Sequence, residues 1–283
     1  MPVDKKQPIP SVWTRPQRRK REQPALSRDQ IVAEAVRLLD EEGIGALSLR
    51  RLGTRLNAGA TSFYSHVANK DELIELVVDE VYGEIDVPEV DVPGGDVPGA
   101  DVSEAGASKA GNPAAWRPLA ARCAQSLRAT ILKHPWMASV LGEVGMSQLG
   151  PNVMRASEGM LAIFKKAGLP TGEADLAVST LTAYVIGMTI SEASWLTTVS
   201  RSGQSEQEWT QHLWPAAEEA AQGHPRLQEQ YAALRSKDMR EIRDEKFDYG
   251  LQRVLDGLAG SIHGGAAGRQ DVRTDGRQDG GQA

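Results

Sequence analysis

Between Ser27 and Ile85, helix-start signals come so close together that only short helices fit between them. Ser27 with Gln30 has the form of a capping box, in which the cap and the third helical residue satisfy each other's backbone N–H. Ile31, Ala35, Leu38 and Leu39 then share a face at helical spacing, and Gly43 supplies the stop. Ser48 caps a second short helix that carries Leu49, Leu52 and Leu56 inward. Asn57 ends it, being one of the few residues besides glycine that tolerates the left-handed conformation. The stretch "AGATSFYSHV" fits a third helix. Asn69, with Glu72 three residues on, opens a fourth over 70–85, whose stripe is Leu73, Leu76, Val77, Val81 and Ile85. These four helices form one compact module.

From Trp116 to Ile262 the periodicity is helical again, with Leu119, Cys123, Leu127 and Ile131 recurring at fours. Pro135, Pro151 and Pro225 stand where a proline opens a helix. Gly168 closes a helix over 152–167, Thr171 caps a long one near 172–200, and Ser205 with Glu208 makes another capping box. A last helix over about 240–262 carries Phe247, Leu251, Val254, Leu258 and Ile262. No run alternates apolar and polar residues between turn signals, so the fold class is all-α. Between the helical regions lies "DVPEVDVPGGDVPGADVSEA", in which Asp86, Asp91, Asp96 and Asp101 each open a five-residue unit. Its proline and glycine density suits no core element, so 86–112 reads as a flexible acidic loop whose repeat is drift rather than a binding motif. Residues 264–283 read as a disordered tail.

Charge is unevenly shared. Residues 1–70 hold 13 Lys/Arg against 7 Asp/Glu, a balance of +6, whereas 71–283 hold 19 against 31, a balance of −12. A basic head on an acidic body points to a polyanionic partner for the head alone. Residues 1–24, with Arg15, Arg18, Arg19, Lys20 and Arg21 close together, read as a disordered basic arm. The single cysteine, Cys123, excludes an internal disulfide and reads as a buried helical thiol. No secretory signal is visible, and the uncharged run from Leu176 to Ser191 falls short of the ~20 apolar residues a membrane span needs.

A helix, a tight turn and a second short helix make a helix-turn-helix, whose second helix enters the major groove of DNA. Here Leu49–Leu56 is the first element, Asn57–Gly59 the turn and Ala60–Val67 the reader. Small residues at Gly59, Ala60, Thr61 and Ser62 allow close approach of the helix start to a duplex, where free backbone N–H groups favour phosphate. Phe63 and Val67 face inward, leaving Tyr64, His66 and Lys70 to reach backbone oxygens. His66 has a second reading, as a cap on its own helix end.

The segment 26–81, including "FYSHVANKDEL", resembles the DNA-binding domain of TetR-family transcriptional regulators. A weaker likeness in "HPWMASVL", "LGPNVM", "AGLPTGEADLAVSTLTAYVIGMTISEASW" and "FDYGLQRVLDGL" is to the tetracycline-repressor-type C-terminal domain of actinobacterial, antibiotic-responsive members. The resemblance implies an all-α homodimer that represses a neighbouring gene until a small molecule releases it from DNA. It assigns Arg50 to guanine reading, Ala60, Thr61 and Ser62 to the base- and phosphate-facing start of the reader, and Tyr64, His66 and Lys70 to phosphate. Ala60 departs from the tetracycline repressor, which has an amide side chain there. Arg50 is thus the best candidate for a bidentate guanine contact. Related members carry N-terminal arms that enter the minor groove, which gives Arg18, Arg19, Lys20 and Arg21 a role on DNA; a solubilising tail is the other reading.

The helix near 172–200 is apolar almost all round and must be buried on more than one side. In the family it pairs with the last helix across a two-fold axis, which assigns Leu181, Val185, Phe247, Leu251, Val254 and Leu258 to the dimer interface and predicts a pseudo-palindromic operator. The ligand pocket draws on Trp116, Met137, Met154, Met160, Phe164, Tyr184, Met188, Glu192 and Trp195, since methionines adapt to irregular ligands and a lone carboxylate can anchor a donor. The alternative for these is ordinary core. The five histidines are scattered, and "HPWMAS" reads as a capping site rather than a catalyst. No cofactor, catalytic residue or metal is assigned, because no ligand set matches the magnesium site of the tetracycline repressor.

The organisation read from the sequence is therefore a basic arm over 1–24, a helix-turn-helix domain over 25–85, the loop 86–112, a ligand-binding and dimerisation bundle over 113–263 and the tail 264–283. The resemblance implies repression through double-stranded operator DNA, relieved when a bulky antibiotic-like natural product tilts the fourth helix and parts the two readers. It also implies an efflux or biosynthetic gene as the target and the bacterial cytoplasm, at the nucleoid when bound to DNA, as the setting. An architectural DNA-binding protein without an effector is the second reading, against which the acidic body argues. An all-α enzyme or carrier is the third.

Overall fold

The computed structural model describes residues 26–58, 63–88, 115–141 and 149–271, the backbone alone at 261 and 263–271. The basic arm with Arg18, Arg19, Lys20 and Arg21, the reader start at Gly59, Ala60, Thr61 and Ser62, most of the 86–112 loop and the end of the tail lie outside these residues. Among the described residues there is no strand, and the order is α1 (Arg28–Glu42), a 3-10 turn (Ile44–Ala46), α2 (Leu49–Arg55), α3 (Lys70–Tyr82), α4 (Trp116–Lys133), α5 (Met137–Leu141), α6 (Pro151–Lys166), α7 (Thr171–Ser202), α8 (Glu206–Ala220), α9 (Pro225–Leu234) and α10 (Met239–Asp271). Contacts divide the chain into two compact units. One comprises 1–87, 126–158 and 189–197, the other 88–125, 159–188 and 198–283.

The first unit contains the helix-turn-helix. The Ser27 capping box is complete, Ser48 accepts the Arg51 N–H, and Asn69 accepts the Glu72 N–H. The Glu72 carboxylate reaches one residue further back than a capping box does, to the Ala68 N–H at 2.9 Å. Asn57 takes the left-handed turn with φ 48°. Ile31, Leu38, Leu39, Leu52, Phe63, Val67, Leu73 and Val77 are all buried, each worth about 1.5–3 kcal/mol by removal of its apolar surface from water. α3 buries Ile74, Val78, Asp79 and Tyr82 in addition to its stripe, so it is enclosed nearly all round. The buried Asp79 takes the first turn of α6, accepting the backbone N–H groups of Asn152 and Val153.

In the second unit α7 and α10 are tied by Tyr184, whose hydroxyl donates to the Phe247 carbonyl at 2.7 Å while the two rings pack 5.7 Å apart. Arg117 of α4 donates to Asp256 and Gln252 of α10 at 2.6 and 2.7 Å. By length and composition α7 could cross a bilayer, but Leu181, Val185 and Val199 along it are core residues of the units. Three details differ from the sequence expectation. Pro170, not Thr171, is the N-cap of α7, and the Thr171 hydroxyl instead accepts Lys165 Nζ at 3.0 Å. Pro135 lies in the turn before α5 rather than in its first turn. α10 runs on to Asp271, through residues read from composition as tail.

Candidate nucleic-acid interface

α2 carries three arginines within six residues, and local charge sorts them. Arg55 Nε donates to Glu34 at 2.6 Å, and both terminal nitrogens donate to Glu41 at 2.9 Å. Those hydrogen bonds from Arg55 hold the Glu41 carboxyl below its ordinary range and push the guanidinium above its own. Arg51 pairs with Glu42. α1 thus contributes three carboxylates that pull two of the arginines back onto the module. Arg50, exposed one residue before Arg51, hydrogen-bonds through its side chain to no described residue.

Arg50, Arg51, Thr54 and Arg55 line a surface depression of about 500 Å³ with Ser48 and Glu42. Thr54 stands one turn after Arg50, and its hydroxyl donates to the Arg50 carbonyl at 3.1 Å. A guanidinium in such a place presents two parallel donors to whatever enters, the pattern that matches O6 and N7 of guanine. Thr54 was not singled out from the sequence, though its position four residues after Arg50 places it on the same helix face.

The described end of the reader begins at Phe63, which is buried with Val67, while the Val67 N–H donates to the Phe63 carbonyl at 3.2 Å. Tyr64 is 58 % exposed, His66 is half-buried and Lys70 is exposed at the start of α3. Inward packing at 63 and 67 therefore turns Tyr64 outward, as the spacing requires.

The residues expected at a pocket are placed as follows. In the first unit Met137 is fully buried, Met154 is 45 % exposed, Trp195 is half-buried, and Glu192 accepts two hydrogen bonds from Arg128 at 2.8 Å. In the second, Trp116 and Phe164 are buried with ring centroids 5.8 Å apart, and Met160, Tyr184 and Met188 are half-buried. Of the interface candidates, Leu181, Val185, Phe247 and Leu251 are buried within the unit, and Val254 and Leu258 are half-buried. Among the described residues no group of His, Cys, Asp or Glu has the arrangement of a metal site.

Two family descriptions match the chain. "Bacterial regulatory proteins, tetR family" matches residues 31–77, and "Tetracyclin repressor-like, C-terminal domain" matches 110–262. An HTH-type transcriptional regulator of Saccharopolyspora erythraea is 35 % identical over 185 residues, 65 % of this chain and 69 % of that protein. The HTH-type transcriptional repressor DrrR1 of Streptomyces coeruleorubidus is 28 % identical over 237 residues, 83 % of this chain and 78 % of its own. Among solved structures, the Streptomyces coelicolor TetR family protein ActR in complex with actinorhodin superposes with a TM-score of 0.64 at 27 % identity, covering 84 % of this chain and 98 % of that one.

Proposed function

The chain belongs to the TetR family of bacterial transcriptional regulators, and on that footing we propose that it represses a gene through a pseudo-palindromic operator and is released by a bulky, partly apolar small molecule. The observation that carries the DNA reading is the sorting of arginines on α2, which leaves Arg50 alone to face a duplex. Arg50 reads guanine, Thr54 lines the same depression, and Tyr64, His66 and Lys70 grip phosphate around the helix start at Gly59–Ser62. Arg18, Arg19, Lys20 and Arg21 add an arm in the minor groove. Such a protein works in the cytoplasm, at the nucleoid.

The effector class is supported by ActR, which was solved with actinorhodin. Trp116 and Phe164 supply aromatic lining, and Met160, Tyr184 and Met188, half-buried in the same unit, supply adaptable or partly exposed surface. Dimerisation uses α7 and α10. Leu181, Val185, Phe247 and Leu251 stiffen these helices from within, and their outward faces, with Leu176 and Tyr249 at 66 % and 71 % exposure, meet a second copy together with Val254 and Leu258. Effector binding tilts α3 and parts the readers beyond the ~34–36 Å spacing of successive major grooves.

The test is fluorescence anisotropy of the protein with the DNA upstream of its own gene, against a scrambled duplex, over a salt series. Nanomolar, sequence-dependent binding that weakens steeply with salt is the expected result. Equal, weak binding to both duplexes sinks the operator reading for that DNA. An effector found by screening must lose affinity in the presence of saturating operator, by the same factor that it weakens DNA binding.

A further inference from the structure

The turn His134–Pro135–Trp136 delivers two donors to one carboxylate. His134 Nδ1 lies 2.7 Å from Asp40 Oδ1, and Trp136 Nε1 donates to the same oxygen at 2.8 Å. Asp40 belongs to the last turn of α1, in the DNA-reading module. The other ring nitrogen, Nε2, lies 3.2 Å from Glu84 Oε2, just beyond the end of α3, and Lys133 Nζ donates to that same oxygen at 2.7 Å. His134 is only 2 % exposed. His134 does not cap α5 with its side chain, as the sequence suggested; its backbone carbonyl accepts the Met137 N–H, and its ring points elsewhere.

A neutral imidazole has one N–H and one bare lone pair. With a carboxylate oxygen at each nitrogen, a neutral ring must set its lone pair against an anion on one side. Only the doubly protonated ring donates to both. Charge balance agrees: Asp40 and Glu84 bring two negative charges, Lys133 one positive, and the imidazolium makes the cluster neutral. Among the described residues these are the charged groups that face the ring, Asp40 from α1, Glu84 from beyond α3 and Lys133 from its own segment. Burial pushes the Glu84 carboxyl up, but hydrogen bonds from Lys133 and His134 outweigh it and hold the group below its ordinary value.

We propose that His134 is the positioning residue that sets the stance of the DNA-reading module, gripping Asp40 of α1 and Glu84 beyond α3 at once, and that this grip exists only while both ring nitrogens carry protons. Loss of a proton turns one contact repulsive and frees the end of α1 from the His134 turn. The reader is then no longer preset, and operator affinity falls when the ring gives up a proton. The inference rests on the regulator reading above for its effect on DNA, but not for the state of the ring.

Protein labelled with 15N at histidine, free of DNA, is titrated by NMR, with His134→Gln assigning the signal among the five histidines. In parallel, binding to the upstream DNA is followed from about pH 5.5 to about pH 8.5 for wild type, His134→Gln and Asp40→Asn. His66 is also a candidate phosphate contact, so His66→Gln is carried as a control. The expected result is a ring with protons on both nitrogens where the wild type binds best, and a His134→Gln protein that binds about tenfold more weakly at the acid end and converges with wild type at the alkaline end. Asp40→Asn removes one of the two gripped carboxylates and should weaken binding at the acid end as His134→Gln does. A neutral tautomer where the wild type binds best, or parallel wild-type and His134→Gln binding profiles, overturns the proposal. If no variant binds the DNA at any pH, the regulator reading fails instead. The ring signal, with the pH dependence of thermal unfolding in wild type against His134→Gln, then decides the grip by itself.

Discussion

The Asp79 carboxylate of α3 caps α6 through Asn152, with Oδ1 2.9 Å from its backbone nitrogen and Oδ2 3.2 Å from its side-chain nitrogen. The same Oδ1 accepts the Val153 N–H at 3.0 Å. An anion at a helix N-terminus satisfies free N–H groups and meets the positive end of the helix dipole. Arg155 completes the relationship in the opposite sense, donating to the carbonyls of Tyr82, the last residue of α3, and Ile85 just beyond it, both at 3.3 Å. Each helix therefore satisfies an open end of the other.

Removal of that cap should be costly. Asp79→Ala leaves the buried Val153 N–H and the half-buried Asn152 N–H without their acceptor and is expected to destabilise the chain by about 2–3 kcal/mol in denaturant unfolding. Gly150→Ala should cost as much, because a Cβ at that position lands on the Asp79 carboxylate. The two changes act on one contact, so Gly150→Ala in the Asp79→Ala background should cost far less than it does alone. Additive losses would show that the contact is not what constrains position 150.

Arg50 and Arg55 should separate function from stability. Arg50→Ala is expected to lose about 1–3 kcal/mol of operator discrimination with an unchanged unfolding midpoint. Arg55→Ala leaves the buried Glu34 with one partner fewer and should lower the unfolding midpoint. Paired measurements of DNA affinity and thermal unfolding check both, and an Arg50→Ala protein that reads DNA normally would remove that residue from the interface.

Acid should loosen the first unit. The carboxyls of Glu41 and Glu84 lie below their ordinary value of 4.5. A depressed carboxyl contributes stability that is present above that value and is lost as pH falls through the folded one. Thermal unfolding followed downward from about pH 6 should therefore show a falling midpoint, and Glu84→Gln should flatten the decline. A Glu84→Gln protein with the wild-type slope would mean that Glu84 has no part in it.

Tyr184 should matter through its hydroxyl. Tyr184→Phe removes the bond to the Phe247 carbonyl and is expected to cost about 1 kcal/mol. Gly250→Ala should cost more, since a Cβ there meets the Tyr184 ring and hydroxyl, and Tyr184→Ala should relieve the clash. Denaturant unfolding of the three variants and the double variant measures this.

Local chemistry explains why so much of the fold can be read from the chain before it folds. A cap, a stop and an apolar stripe lie within a few residues of one another, so Ser27, Gly43, Ser48, Asn57 and Asn69 mark helix ends wherever the helices finally pack. The same holds for the inward Phe63 and Val67. Long-range pairing is different, because it depends on which distant backbone arrives opposite a side chain. Arg51 and Arg55 look equivalent to Arg50 until α1 brings Glu34, Glu41 and Glu42 against two of the three. Asp79 looks like a flaw in an apolar helix until the first turn of α6 meets it, 73 positions along the chain. His134, read as a local cap, turns out to face two carboxylates 94 and 50 positions away. Helix ends follow from neighbours in the chain; buried charges find their partners only when tertiary packing removes the water that would otherwise have solvated them.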